Sequence, residues 1–107
     1  MILRLYQLDI ENPKSHGLIF RDWDRIQEQF DFNNYHMVYE NQNFNHYNSI
    51  TGELVLENTE SLLDHIFSLF NIGRKPENYH GHSLSVSDII ELNGIRYYID
   101  GIGFKQL

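Results

Sequence analysis

Between positions 80 and 88 the chain carries His80, His82, Ser83, Ser85, Ser87 and Asp88. These are the residue types of a nucleophilic hydrolase and also of a metal site. A hydrolase needs a base within hydrogen-bond reach of its nucleophile and donors for the oxyanion. Alternating serines beside two histidines and an aspartate supply the first ingredients, but no nucleophile elbow surrounds them. A structural role fits the sequence better. Ser87-Asp88 precedes an apolar run, and such side chains bond nearby backbone N–H groups where a chain turns. No enzymatic activity is expected.

His80 and His82 are two apart, so an extended backbone points both to one side. They are the candidate metal ligands. Zinc there needs two further donors, drawn from His36, Asp64, His65 or Glu77. The alternative is that His82 bonds the loop backbone and His80 faces solvent. The chain has no cysteine, which removes disulfides, thiolate nucleophiles and sulfur-ligated zinc. No cofactor is expected to be required. Gly101-x-Gly103 follows a strand pattern without opening a helix, so it reads as turn chemistry rather than a phosphate loop.

The formal charge of −7 has a position as well as a size. No Lys or Arg lies between Ile26 and Gly73, and that block holds seven carboxylates: Glu28, Asp31, Glu40, Glu53, Glu57, Glu60 and Asp64. The rest of the chain is neutral. Direct nucleic-acid binding is disfavoured, because phosphate recognition needs a basic patch. A basic protein surface is the expected partner, with solubility as the bland alternative.

The elements that position these residues follow from periodicity. Residues 2–8 alternate with both faces largely apolar, as in a strand inside a sheet. A loop with Asn12-Pro13 and Gly17 follows. Phe20, Trp23, Ile26 and Phe30 recur at helical spacing and predict a helix over 21–30, with Asp24, Glu28 and Asp31 as an outward acidic stripe. Residues 34–40 read as a strand. Residues 41–48, rich in Asn with Phe44, His46 and Tyr47, read as a loop or irregular strand. Thr51-Gly52 predicts a turn and 54–56 a short strand. Leu62, Leu63, Ile66, Phe67, Leu69 and Phe70 predict a helix over 59–71, with Glu57, Glu60 and Asp64 outside. Gly73 suits a left-handed position after its end, and Pro76 stops continuation. After a 74–83 loop, Ile89–Leu92, Asn93-Gly94 and Ile95–Ile99 form a hairpin, since Asn-Gly suits a two-residue turn. Asp100-Gly101 turns again into a last strand.

The run Gly81-His82-Ser83-Leu84-Ser85-Val86-Ser87-Asp88-Ile89-Ile90-Glu91-Leu92, with Tyr97-Tyr98-Ile99-Asp100 and Gly103-Phe104, resembles the YodL-like domain family of Gram-positive bacteria and their mobile elements. Tyr6-Gln7-Leu8, Tyr35 with Val38-Tyr39-Glu40, and a helix ending at Phe70-Asn71 fit the same pattern. The likeness is strongest over 79–104 and weakest over 41–56. It implies a binding module without an assigned reaction, often encoded beside anti-restriction genes. One bacillar relative is tied to the actin-like protein MreB. In size and charge the chain also resembles the inhibitors that phages use against CRISPR nucleases.

The expected fold is therefore α+β: one domain over 1–107, a small, mainly antiparallel sheet with two helices packed on it and a C-terminal β-meander. The expected function is a non-enzymatic inhibitor or adaptor that masks a basic surface of a host defence or nucleic-acid-handling protein, with a Cas9-type nuclease the most concrete case. Modulation of MreB and metal-dependent hydrolysis at His80 and His82 are the alternatives. The expected partner-binding residues are Asp24, Glu28, Asp31, Phe44, His46, Tyr47, Glu57, Glu60 and Asp64. The start, Met1 to Tyr6, turns polar too soon for a signal peptide, and no apolar run reaches the ~18 residues of a membrane span. A cytoplasmic setting is expected.

Overall fold

The computed structural model describes residues 1–44 and 59–107. His46, Tyr47 and Glu57, the Thr51-Gly52 turn and the 54–56 strand lie outside the described residues. The elements run β1 (Leu3–Leu8), a 3-10 turn (Pro13–Ser15), α1 (Trp23–Ile26), a second 3-10 turn (Phe32–Asn34), β2 (Tyr35–Asn41), α2 (Thr59–Asn71), β3 (Ile89–Leu92), β4 (Ile95–Ile99) and β5 (Phe104–Gln106). The five strands form one sheet in the order β2-β1-β3-β4-β5, with every neighbouring pair antiparallel. This is the expected α+β architecture with its C-terminal meander. Among the described residues no helix is long and apolar enough to cross a membrane.

Strand alternation splits the apolar side chains between two cores. Leu3, Leu5, Ile90, Leu92 and Ile99 face one side, where Leu62, Leu63, Ile66 and Phe70 of α2 cover them. Leu8, Ile89 and Tyr98 face the other, beneath Leu18, Trp23, Ile26 and Phe30. Burying each such aliphatic side chain contributes about 1.5–3 kcal/mol. The helical stripe read over 59–71 is thus the buried face of α2.

The helix expected over 21–30 is a single turn. Phe20 stands at φ 61 and is 59% exposed, outside the stripe it was grouped with. Trp23, Ile26 and Phe30 do pack together, but around Tyr98: its ring lies 5.1 Å from Trp23 and 6.3 Å from Phe30. After Gln27 the chain tightens into turns that bring Phe30 back over Tyr98. Tertiary aromatic packing overrides the local period. Gly73 is a second correction, since it does not adopt the left-handed conformation. Its missing side chain instead clears the Leu69 carbonyl oxygen, which a Cβ would approach to 2.6 Å.

The hairpin turn is as the sequence predicts. Asn93 and Gly94 both hold positive φ, 49 and 86, as a type I′ turn requires. The turn also anchors the first strand. The Asn93 N–H donates to Ile2 O at 2.9 Å, and the Ile2 N–H donates to Asn93 Oδ1 at 2.7 Å.

A valine at position 94 isolates the backbone effect, because a Cβ there meets no atom within 4 Å. Gly94→Val should cost about 1–3 kcal/mol through φ alone. Thermal denaturation should show a single transition at a lower Tm, and an unchanged Tm would overturn this account of the turn.

Candidate functional site

Gln7 lies on the α2 side of β1, in line with Leu3 and Leu5, and is 1% exposed. A buried amide must find partners or lose its hydration without return. Its Nε2 reaches Asp88 Oδ2 at 3.0 Å, His82 O at 2.9 Å and Tyr79 Oη at 3.2 Å, and its Oε1 accepts the His82 N–H at 3.1 Å. Tyr79 Oη–H donates to the same His82 carbonyl at 2.6 Å. The 79–88 loop is therefore fastened to the sheet from inside. Gly81 permits this, since a Cβ there would run into Gln7 Oε1 and stand 2.9 Å from Val38 Cγ1. Val38 is the extra residue of a bulge between β1 and β2, and its carbonyl accepts the His80 N–H at 2.8 Å.

Ser87 and Asp88 shape the start of β3. Ser87 holds φ 82, its Oγ accepts the Phe20 N–H at 2.9 Å, and its carbonyl accepts from Tyr35 Oη–H at 2.6 Å. Asp88 Oδ2 also accepts the Ser85 N–H at 2.9 Å. Its Oδ1 is buried without a hydrogen-bond partner. Burial pushes the Asp88 carboxyl up from 3.8 to about 8, against the opposing pull of its hydrogen bonds to Ser85 and Gln7. The proton then belongs on Oδ1. None of the hydroxyls of Ser83, Ser85 and Ser87 is hydrogen-bonded to His80 or His82.

The histidines divide as the second sequence alternative had them. His80 is exposed. His82 Nδ1 lies 2.8 Å from Ser83 O, a contact that assigns the ring proton to Nδ1. His82 Nε2 is left buried without a partner. His36, His80 and His82 line one cleft of about 230 Å³ with Asp9 and Glu11. Among the described residues, however, no three His, Asp or Glu side chains come together as a metal-holding group. Of the further donors considered, Asp64, His65 and Glu77 do not line that cleft, and His36 does so without forming a metal-holding group of three with His80 and His82 among the described residues.

The acidic residues separate likewise. Asp24, Glu28 and Asp31 are exposed, but on the segment that covers the Tyr98 side of the sheet. With only one helical turn there, they form no helical stripe, and Asp31 Oδ1 instead caps the second 3-10 turn through the Asn33 N–H at 2.9 Å. Glu60 and Asp64 are exposed on α2, over the opposite face. The two sets do not make one surface. Phe44, expected in an interface, is 8% exposed and belongs to the core under α2. Its backbone is held by Met1, whose carbonyl accepts the Phe44 N–H at 2.9 Å.

Sequence reasoning missed a groove along the junction of α2 and β5. Two clefts of about 300 and 220 Å³ adjoin there and share Phe104. Leu63 and Phe67 of α2 and Tyr97 and Phe104 of the sheet supply its apolar surface. Glu60, Asp64 and Asp100 supply its charge, and no Lys or Arg lines it. Ile102, on the 100–103 turn at one end, is 97% exposed. Phe67 was read only as part of a core stripe. The β4–β5 meander was the one available signal that a sheet edge would lie beside α2.

The family model of the YodL-like domain matches residues 2–107. No curated protein and no solved structure matches the chain.

Two outcomes test the buried polar centre. Gly81→Ala should destabilise by about 1–3 kcal/mol through overpacking, and less in a Gln7→Ala background, where the obstructing amide is gone. Equal costs in both backgrounds, read by denaturant titration, would reject the contact. Asp88 gives a pH dependence. The folded state keeps a proton that the unfolded state releases, so stability falls as pH rises from about 4 to about 8 and levels off above. Asp88→Asn should flatten that slope in Tm, and an unaltered slope would show that Asp88 is ionised throughout.

Proposed function

We propose a binding function for this chain, which belongs to the YodL-like domain family over residues 2–107: the groove between α2 and β5 receives a basic segment of another protein. The observation that carries this reading is the groove's composition, an apolar floor whose charged residues are all carboxylates. Glu60 and Asp64 form no salt bridge with the described residues, which leaves their charge available to a partner. Apolar contact on Phe104 and Phe67 would supply affinity, and the carboxylates would attract and orient a cationic segment. The same charge repels phosphates, which argues against direct nucleic-acid binding.

In its finer form the reading is an inhibitor that masks a basic surface of a defence or nucleic-acid-handling protein. A Cas9-type nuclease, with basic channels for its nucleic acids, is the first partner to test. MreB is the second. No chemical step is part of this function.

Association with each immobilised partner can be followed at low and physiological salt. Binding through the groove should slow as salt rises. Glu60→Gln with Asp64→Asn should slow association about tenfold, while Asp24→Asn with Glu28→Gln, on the opposite side, should leave it unchanged. The reverse pattern would move the interface to the α1 side. No binding to either protein, at low salt and high concentration, would remove both as partners.

A further inference from the structure

We propose that the segment received by the groove is an extended strand that joins the sheet at β5 through its backbone. This rests on the groove-binding reading above and adds the form of the occupant. β5 ends the strand order, so one of its edges has no neighbouring strand among the described residues. The ladder fixes which groups that edge offers. Asp100 N–H donates to Gly103 O at 3.0 Å, and Leu107 N–H donates to Arg96 O at 2.9 Å. Alternation then turns the backbone groups of Gly103, Lys105 and Leu107 toward β4, and those of Phe104 and Gln106 outward. No described residue hydrogen-bonds the outward N–H and C=O of Phe104 and Gln106.

The same two residues line the groove with their side chains. An added strand would therefore meet open backbone groups and the groove at once. Every second side chain of the guest would fall over Phe104 and Tyr97 or reach toward Glu60 and Asp64. The guest that fits is a segment alternating on one face between apolar residues and lysine or arginine. A second copy of this chain fits less well. Pairing two β5 edges brings two sets of Glu60 and Asp64 toward each other, and like charges repel.

A short peptide whose every second residue is in turn valine and lysine, with threonine at the positions between, is the probe, titrated into the isotope-labelled full chain. Strand addition predicts shifted and exchange-protected amides at Phe104 and Gln106. It also predicts about tenfold weaker binding when every second peptide nitrogen is methylated on the pairing edge. Gln106→Pro removes one outward N–H and is tolerable on an edge strand; it should weaken binding similarly with Tm unchanged. If that variant fails to fold, the methylated peptide against the unaltered chain still decides. Peptide binding that depends on Glu60 and Asp64 but leaves the Phe104 and Gln106 amides untouched overturns strand addition and keeps the groove. Preference for a helical lysine–leucine peptide of equal charge overturns it in the same way. No binding of either peptide defeats the groove reading itself. A concentration-dependent dimer lost on Gln106→Pro assigns the edge to a second copy and overturns the proposal.

Discussion

Gln7 stands where β1 passes beneath the 79–88 loop, and its amide joins segments that are far apart in the chain. Nε2 reaches Asp88 across 81 positions and His82 across 75. An unpaired buried amide costs more than a made bond returns, so the loop must close over it with donors and acceptors in register. That requirement explains several residues together. Gly81 must lack a side chain, the His82 backbone must meet the amide on both its donor and acceptor sides, and Tyr79 must seal the same carbonyl. Asp88 must hold its Oδ2 toward Gln7 and Ser85, which leaves Oδ1 in a site without a partner. A protonated carboxyl is the species that such a site favours.

The opposite side of the sheet meets a similar demand with charge. Glu40, Arg4, Glu91 and Arg96 are register partners across β2, β1, β3 and β4. Arg4 bonds Glu40 at 2.6 Å and Glu91 at 3.0 Å, and Arg96 bonds Glu91 at 2.9 Å. Glu91 is 3% exposed, a burial that both guanidinium groups make tolerable. The Arg96 guanidinium also lies 3.6 Å from the Phe32 ring centroid, an attractive cation–π placement. The Arg4 hydrogen bond holds the Glu40 carboxyl below the usual carboxylate range. One member of the acid-only block is thereby spent inside the sheet. Charge counted along the sequence overstates what a partner would meet, and the carboxylates of α2 remain for that purpose.

Local determinants were the legible ones. The Asn93-Gly94 turn, the α2 stripe and the strand alternation each depend on residues a few positions apart. The Ser87-Asp88 pair was readable as a turn former for the same reason. Its partner Gln7 was not, because nothing near Tyr6-Gln7-Leu8 marks one polar residue as buried. The α1 region shows the opposite failure. Trp23, Ile26 and Phe30 carry a helical period, yet the turns around Tyr98 produce the same clustering without a helix. Phe44 failed through context: a lone aromatic among asparagines reads as surface until Met1 and α2 are seen to enclose it. The groove is built by two elements more than thirty residues apart, so no stretch of sequence contains it.

The polar centre and the groove meet in β4. Ser87 N–H donates to Ile99 O, and Ile99 N–H donates to Asp88 O, both at 2.9 Å. The next residue, Asp100, lies on the groove's rim. Asp100 Oδ1 also accepts the Trp23 N–H at 3.1 Å, which fixes the start of α1. The position of the rim is therefore set by the loop that Gln7 secures, one residue away through the Ile99 pair. Side chains on one element move together when that element shifts, because packed interiors yield little. The 79–88 loop and the groove at Phe104 are thereby joined. The loop holds the end of β4, and the end of β4 presents Asp100 and leads into the turn that bears Ile102.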